Sequence, residues 1–240
     1  MDNLKNNVYY QKGMRVSRIN VFGWENAIIG MRFPKNSEDK SDTDFTKQLI
    51  VLGQNDLNLM IRLAKAGRDE RKYLRMIHVQ CAINMPMTWW KQMDTYKVAT
   101  VANSRSTMHK ITERLLTKED FYSNVWDSHF DNILNYINEL IEDYKYYENI
   151  IQNNNTISDR GWHKLVAEKN KKNAWHKIID ILPMCYLQER MWDGNYETLL
   201  SMIKARWNEK LNIEWKFFLE AMLDSCPYLN VIYQNAYERI

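Results

Sequence analysis

Hydrophobic and polar positions follow two periods along this chain, about two residues in some segments and about 3.6 in others. β-Branched and aromatic residues dominate Arg15 to Phe33, where Gly23 and Gly30 interrupt the run, and this pattern predicts two short strands around a turn. From Met76 to Met85 every second residue is apolar, which is the periodicity of a strand. The alternation therefore predicts a sheet that begins near the N-terminus.

Helical spacing covers much of the remaining chain, and turn-forming residues mark where the helices end. The predicted helices are two in series within Asn55 to Ile77 on either side of Gly67, one opened by Pro86, one capped by Ser128, one from Ser158 to Leu182, and helical segments from Asn195 to Leu223. The apolar stripe of the helix after Ser128 comprises Ile133, Leu134, Ile137, Leu140, Ile141 and Tyr144. Thr117 with Asp120 forms a predicted capping pair. Polar stretches at Pro34 to Asp44, a candidate lid, and at Gln152 to Thr156 are predicted connectors.

Composition narrows the class of protein. The 240 residues, 45% of them hydrophobic, suffice for one core, so we expect a single α+β domain over residues 1–240, with a mixed or antiparallel sheet and flanking helices. A formal net charge of +3 gives no reason to expect a nucleic-acid partner. Three cysteines without a CxxC pair indicate a reduced, cytoplasmic setting, and the absence of a signal-like or membrane-spanning apolar run predicts a soluble protein.

The densest polar chemistry lies in Pro86 to His109, which combines lysines, an arginine, a glutamine and a row of hydroxyls. Several hydrogen-bond donors beside neutralising charge are what a phosphate group requires. The alternative to a phosphate-binding segment is a solvated loop with ordinary turn chemistry. For Trp89 and Trp90 in this segment, core packing and ligand stacking or subunit contact are both open. Histidines at metal-binding spacing, a Gly-rich phosphate loop and a G-x-S-x-G elbow are absent from the sequence, so we expect no metal.

This segment resembles the signature of flavin-dependent thymidylate synthases, R-H-R-x-x-S-x-N-E-x-S-x-R-Y, which a proline and an R-Q-W triplet precede. Pro86 takes the place of the proline, and Lys91-Gln92-Met93 stands where R-Q-W would be. The signature is matched by Thr95-Tyr96-Lys97, Thr100, Asn103-Ser104, Ser106 and Met108-His109, with one extra residue between Thr100 and Asn103.

A second block supports the resemblance. In the family, an L-P pair is followed twelve residues beyond its proline by N-x-R-x-L-x-N-F-L-x-L-R. The same interval from Pro183 reaches Asn195, and NYETLLSMIKAR follows without a gap. Asn195 matches the first flavin-contacting asparagine, Ser201 replaces the second, and Arg206 matches the arginine that orients and activates the pyrimidine. Trp215 falls near the tryptophan of the family's A-Q-W.

The resemblance implies an oligomer, specifically a homotetramer, in which FAD lies between subunits and a pyrimidine nucleotide is bound. Arg206 would be the catalytic residue if the protein is active, and Tyr96, Asn195 and Ser201 would contact flavin. The implied nucleotide-binding residues are Lys91, Gln92, Lys97, Ser104, Arg105, Ser106, His109, Arg190 and Arg206.

The departures from the family pattern concern charge. Thr95-Tyr96-Lys97 retains one cation of the R-H-R triplet, Met108 replaces an arginine, and Ser104 replaces the glutamate. The arginine expected shortly before the L-P pair falls on Ile179. A tyrosine can stack on a ring but has no charge change near neutral pH, so the triplet argues against flavin while the second block argues for it.

Three functions stay open at this point. The favoured one is a nucleotide-binding protein with altered or lost catalysis that sequesters a nucleotide or a nucleotide-derived signal. The second is an active enzyme that transfers a methyl or hydroxymethyl group to dUMP or a related pyrimidine, and the third is a structural or regulatory subunit. Abundant Asn, Lys and Ile hint at AT-rich coding DNA, as in some bacteria and their phages.

Overall fold

A computed structural model of the chain describes residues 4–5, 7–47, 49–122, 126–153 and 161–237. The chain divides into two compact units. The first comprises residues 1–85, 89–104 and 189–240, and the second comprises residues 86–88 and 105–188. We expected a single domain over residues 1–240 from the sequence. The division into two compact units does not test this expectation, which stays a prediction.

The described strands form a six-stranded sheet with the order β1-β3-β4-β6-β5, and β2 also pairs with β3. The strands are β1 (Leu4–Lys5), β2 (Tyr9–Gln11), β3 (Met14–Phe22), β4 (His78–Pro86), β5 (Val101–Ser104) and β6 (Leu187–Asn195). Pairing is antiparallel between β1 and β3, β2 and β3, β3 and β4, and β5 and β6. The predicted strand at Met76 to Met85 is confirmed as β4, whereas β5 and β6 lie in segments that were not predicted to be strands.

Helices account for most of the remaining described residues. They are α1 (Trp24–Gly30), α2 (Gln54–Ala66), α3 (Met87–Met93), α4 (Thr107–Lys110), α5 (Ser128–Asn153), α6 (Gly161–Ile181), α7 (Tyr196–Arg206), α8 (Asn212–Ser225) and α9 (Leu229–Tyr237). Short 3₁₀ turns occur at Phe33–Lys35, Glu38–Lys40, Lys72–Arg75 and Lys118–Asp120. No helix in the described part of the chain is both long and apolar enough to cross a membrane.

The prediction of two strands between Arg15 and Phe33 is wrong in its second half, which forms α1. The buried residues Trp24, Ala27 and Ile28 are three and four positions apart, so they place one helical face in the core. Gly23 adopts a φ of +89°, and its carbonyl accepts the first bond of the helix from the N–H of Ala27 at 3.1 Å. The apolar run thus had the composition of a strand and the period of a helix.

The second helix expected after Gly67 is only a 3₁₀ turn. Gly67 ends α2 as predicted, and the chain then reaches Lys72–Arg75. Tyr73 of this turn is buried, and its hydroxyl donates to the carbonyl of Met60 at 2.9 Å. This tertiary contact fixes the turn against α2.

Aromatic side chains fill the core of the first unit. Trp89 and Trp90 on α3 are fully buried, which confirms core packing for both. The Trp89 ring centroid lies 4.9 Å from that of Trp215 and 5.3 Å from that of Phe218, both on α8. Rings at these distances add to the free energy of burial, and they fix α3 against α8.

The second unit has its own apolar core, formed by α5, by Ile178 of α6 and by three residues that precede α5. Its buried residues are Ile111, Leu116, Phe121, Leu134, Ile137, Leu140, Ile141 and Ile178. The predicted stripe of α5 is confirmed except at its edges, since Ile133 is 42% exposed and Tyr144 is half-buried. The capping pair is also confirmed, because the N–H of Thr117 donates to Asp120 Oδ2 at 2.8 Å.

The predicted connectors differ in outcome. Residues 152 and 153 end α5, whereas residues 154–156, and residues 158–160 of the predicted helix, lie outside the described residues. Pro34 to Asp44 is a loop with two 3₁₀ turns. Closure of this loop as a lid stays a prediction.

Candidate functional site

The two sequence blocks meet at Arg206. This residue ends α7, and its Nε donates to the hydroxyl of Tyr96 at 3.0 Å. The guanidinium carbon lies 5.5 Å from the ring centroids of both Tyr96 and Trp215, within the range of cation–π attraction. The Arg206 side chain is therefore held in one orientation between two aromatic rings.

Gln92 lies in the same cluster. Its Oε1 accepts a hydrogen bond from the indole nitrogen of Trp215 at 2.6 Å. The bond leaves the Gln92 amide NH₂ to donate elsewhere, because an amide carries two donors besides its oxygen. We call Gln92, Tyr96, Arg206 and Trp215 the Arg206 cluster.

Arg190 is fixed by a second set of contacts in the first unit. Its guanidinium carbon lies 4.2 Å from the Trp90 ring centroid, and Nη1 donates to Asp94 Oδ1 at 2.8 Å. Ser104 is the register partner of Arg190 across the β5–β6 pair. Trp90 and Asp94 belong to α3 and the turn after it, so this cation is tied to the same segment as the Arg206 cluster.

Lys91 and Lys97 are exposed. Neither forms an ion pair with another residue of the described chain. Each ammonium is therefore available to an anion, but a surface lysine alone provides little geometry to select one.

The residues expected to contact flavin are engaged within α7. Asn195 is 2% exposed, and its Oδ1 caps the helix by accepting from the N–H of Thr198 at 3.0 Å. The hydroxyl of Ser201 donates to the carbonyl of Glu197 at 3.0 Å. Tyr96 and Ser201 are half-buried, so within the described structure Asn195 and Ser201 serve α7 and the ring of Tyr96 lies at Arg206.

Arg105, Ser106 and His109 belong to the second unit, where they lie around the start of α4. Arg105 is exposed and Ser106 half-buried, whereas the side chain of His109 lies outside the described part of the structure. Ile179, at the position of the missing arginine, packs against the apolar core of this unit. Isoleucine at that position thus has a packing role.

The first unit contains a large cavity that was not predicted from the sequence. Its volume is about 1130 Å³, and it lies between the end of α1, the loop after it, α2 and the turn at Lys72–Arg75. The cationic side chains that line it are Arg32, Lys35, Lys40, Arg62 and Lys72, against the two carboxylates of Asp69 and Glu70. Asn55, Asn58 and Arg62 recur at helical spacing on α2, and this polar face was the signal that could have revealed the cavity.

Buried charge fixes one wall of this cavity. Arg32 is 4% exposed, and its Nε donates to Oδ1 of the fully buried Asp56 at 2.7 Å. Oδ2 of Asp56 accepts from the hydroxyls of Ser41 and Thr43 at 2.8 and 2.6 Å. Burial raises the pKa of the Asp56 carboxyl, but these hydrogen bonds and Arg32 lower it by more, so the pKa lies below its ordinary value.

Within residues 4–5, 7–47, 49–122, 126–153 and 161–237, no three His, Cys, Asp or Glu side chains are grouped to hold a metal ion.

Solved structures share this fold at low sequence identity. Thymidylate synthase X from Helicobacter pylori, crystallised with FAD and dUMP, superposes with a TM-score of 0.61 at 12% identity over 90% of this chain and 96% of that chain. Another structure of the flavin-dependent enzyme from this bacterium, also with FAD and dUMP, gives a TM-score of 0.56 at 13% identity over 88% and 94% of the two chains. No family model and no curated protein matches the sequence. The chain thus has the α+β fold of flavin-dependent thymidylate synthases, as the resemblance predicted.

Proposed function

We propose that this chain, which shares the fold of flavin-dependent thymidylate synthases, binds a nucleotide in its first unit and has lost or altered the family's redox chemistry. The observation that carries the proposal is the contact between Arg206 and Tyr96. These residues come from two separate sequence blocks, each matched to a nucleotide or flavin site, and they meet in the fold. If the match of either block were a coincidence, there would be no reason for Arg206 and Tyr96 to be in contact.

The chemistry of the first unit supports a nucleotide ligand. Arg206 carries a fixed positive charge and planar donors, which suit a pyrimidine carbonyl or a phosphate. The cavity beside α2, whose lining includes none of the Arg206 cluster, is a second place in this unit where about 1130 Å³ and a surplus of cations are ample for a nucleotide. The two similar Helicobacter pylori structures contain FAD and dUMP, so this fold holds nucleotides in both of them.

The same residues favour binding over catalysis. Thr95-Tyr96-Lys97 lacks two of the triplet's cations, and Asn195 and Ser201 hold α7 together. A binding protein needs complementarity only to the ground state of its ligand, whereas a catalyst must also stabilise a transition state. We therefore propose a protein that retains and sequesters a nucleotide. A single functional domain, a homotetrameric assembly and a cytoplasmic setting, all expected from the sequence, belong to the same proposal.

Absorbance and thermal unfolding of the purified protein test this function together. We expect a colourless preparation whose Tm rises with at least one nucleotide from a broad panel, since a ligand at 100 times its Kd stabilises the folded state by about 2.7 kcal/mol. No rise in Tm with any nucleotide would overturn the proposal. Flavin absorbance together with tritium release from labelled dUMP would instead show the active enzyme.

A further inference from the structure

The second unit carries a groove of about 810 Å³ that none of the predicted site residues explains. It lies between α4, α5 and α6. Trp175 and Met108 give it aromatic and apolar surface, and Lys171 and Lys172, on the same helix as Trp175, give it positive charge. The composition matches an aromatic ligand that also bears an anionic group.

Trp175 provides a fixed aromatic surface. Its indole nitrogen donates to the carbonyl of Met108 at 3.0 Å, which joins α6 to α4 and restrains the ring. The residue remains half-exposed despite this bond. A restrained, accessible indole stacks on a planar ring at a low cost in side-chain entropy.

The two lysines have different partners. Lys171 donates to Glu148 Oε1 at 2.6 Å, and its ammonium lies 4.7 Å from the Tyr144 ring centroid. Lys172 is exposed and forms no ion pair with any residue that the structure describes. Lys171 therefore builds the wall of the groove, while Lys172 has its charge available for a ligand.

Glu168 also lines the groove, one helical turn before Lys172. An exposed carboxylate accepts hydrogen bonds from hydroxyl groups, and it disfavours each further negative charge on a ligand in the groove. The groove thus combines a stacking surface, an acceptor for hydroxyls and one available cation. We propose that it binds a nucleoside monophosphate, with the base on Trp175, the ribose hydroxyls at Glu168 and the phosphate at Lys172.

This site is independent of the one proposed for the first unit, and NMR can observe it directly. The indole N–H signal of Trp175 in the ¹⁵N-labelled full-length protein is assigned by its loss in Trp175→Phe. AMP is the probe, because a purine covers much of an indole. We expect a saturable shift of this signal, an approximately tenfold weaker Kd in Lys172→Gln, and weaker binding of adenosine and of inorganic phosphate.

Two control variants show whether the response of the Trp175 signal comes from the groove or from elsewhere in the protein. Lys177→Gln removes an exposed lysine of the same helix that does not line the groove, and it should leave the AMP titration unchanged. Arg206→Ala should also leave the Trp175 signal's response unchanged, even where it abolishes binding in the first unit. An indole signal that does not move up to about 10 mM AMP, well above a millimolar Kd, would overturn the proposal. So would equal responses in the wild type and in Lys172→Gln.

Discussion

Arg206 Nε donates a hydrogen bond to the hydroxyl of Tyr96 at 3.0 Å, although 110 positions separate the two residues in the sequence. The bond joins the end of α7 to the turn after α3. Because Trp215 lies on the guanidinium as well, Arg206 is oriented before any ligand arrives. A preorganised cation of this kind lowers the entropic cost of binding.

The buried ion pair between Arg71 and Glu197 should be essential to stability. Arg71 Nε and Nη2 donate to the two carboxylate oxygens of Glu197 at 2.8 and 3.1 Å, and both side chains are less than a tenth exposed. Glu197→Ala should lower the free energy of unfolding by about 3 kcal/mol, since it leaves a buried guanidinium without a carboxylate and with only the Tyr237 hydroxyl to accept from it. Urea denaturation followed by tryptophan fluorescence measures the change. The matched control is Glu209→Ala at an exposed position, where we expect little effect.

The Asp56 carboxylate should make stability depend on pH in the acid range. Burial raises its pKa, but hydrogen bonds from Thr43, Ser41 and Arg32 lower it by more, so the charged form is favoured in the folded protein. A depressed folded-state pKa contributes stability above the unfolded value of about 4 and loses it as pH falls through the folded value. The stability advantage of the wild type over Asp56→Asn should therefore be full at neutral pH and shrink below about pH 4.

Urea midpoints of both proteins across this pH range provide the measurement. Asp69→Asn, at an exposed position, is the control. An advantage of the wild type that stays constant from neutral to acid pH would show that the Asp56 charge has no part in stability.

Gly23 should tolerate no side chain. A Cβ there would lie 2.2 Å from the carbonyl oxygen of Met76, and φ is +89°. Gly23→Ala should destabilise the protein by about 2 kcal/mol or more, whereas Gly30→Ala, whose Cβ would lie 3.6 Å from the Met76 sulfur, should be neutral or slightly stabilising within α1. Thermal unfolding of the two variants compares them directly. Equal Tm values would contradict the backbone argument.

Hydrophobic periodicity predicted the helices and strands whose buried face is visible in the spacing of neighbouring residues. The strand β4, the helix α3 after Pro86 and the capping pair at Thr117 could all be identified, because neighbouring residues alone determine them. Residues 24–30 were misread because β-branched and aromatic side chains suggested a strand, while the helix depends on burial against Tyr196 and Tyr228. Such tertiary contacts override local β propensity, although the three- and four-residue spacing of Trp24, Ala27 and Ile28 already matched a helix.

The sequence predicted only part of the candidate site. The two matched blocks identified Arg206, Tyr96 and Gln92, and the fold brings these together. The roles of Asn195 and Ser201 within α7 could not be read from the match, since a helix-capping asparagine and a ligand-binding one have the same identity. The cavity beside α2 could not be predicted from the sequence, because its cations come from three separate segments that only the tertiary fold brings together.

Isothermal titration of the wild type and of Arg206→Ala tests the central claim most directly, with the nucleotide that raises the wild-type Tm most. Loss of a charge-assisted hydrogen bond should cost about 2 kcal/mol, so we expect Kd to rise by roughly thirtyfold. Lys210→Ala, which removes an exposed cation shortly after α7, should bind like the wild type. An unchanged Kd in Arg206→Ala would contradict the assignment of this arginine and of the block that identified it.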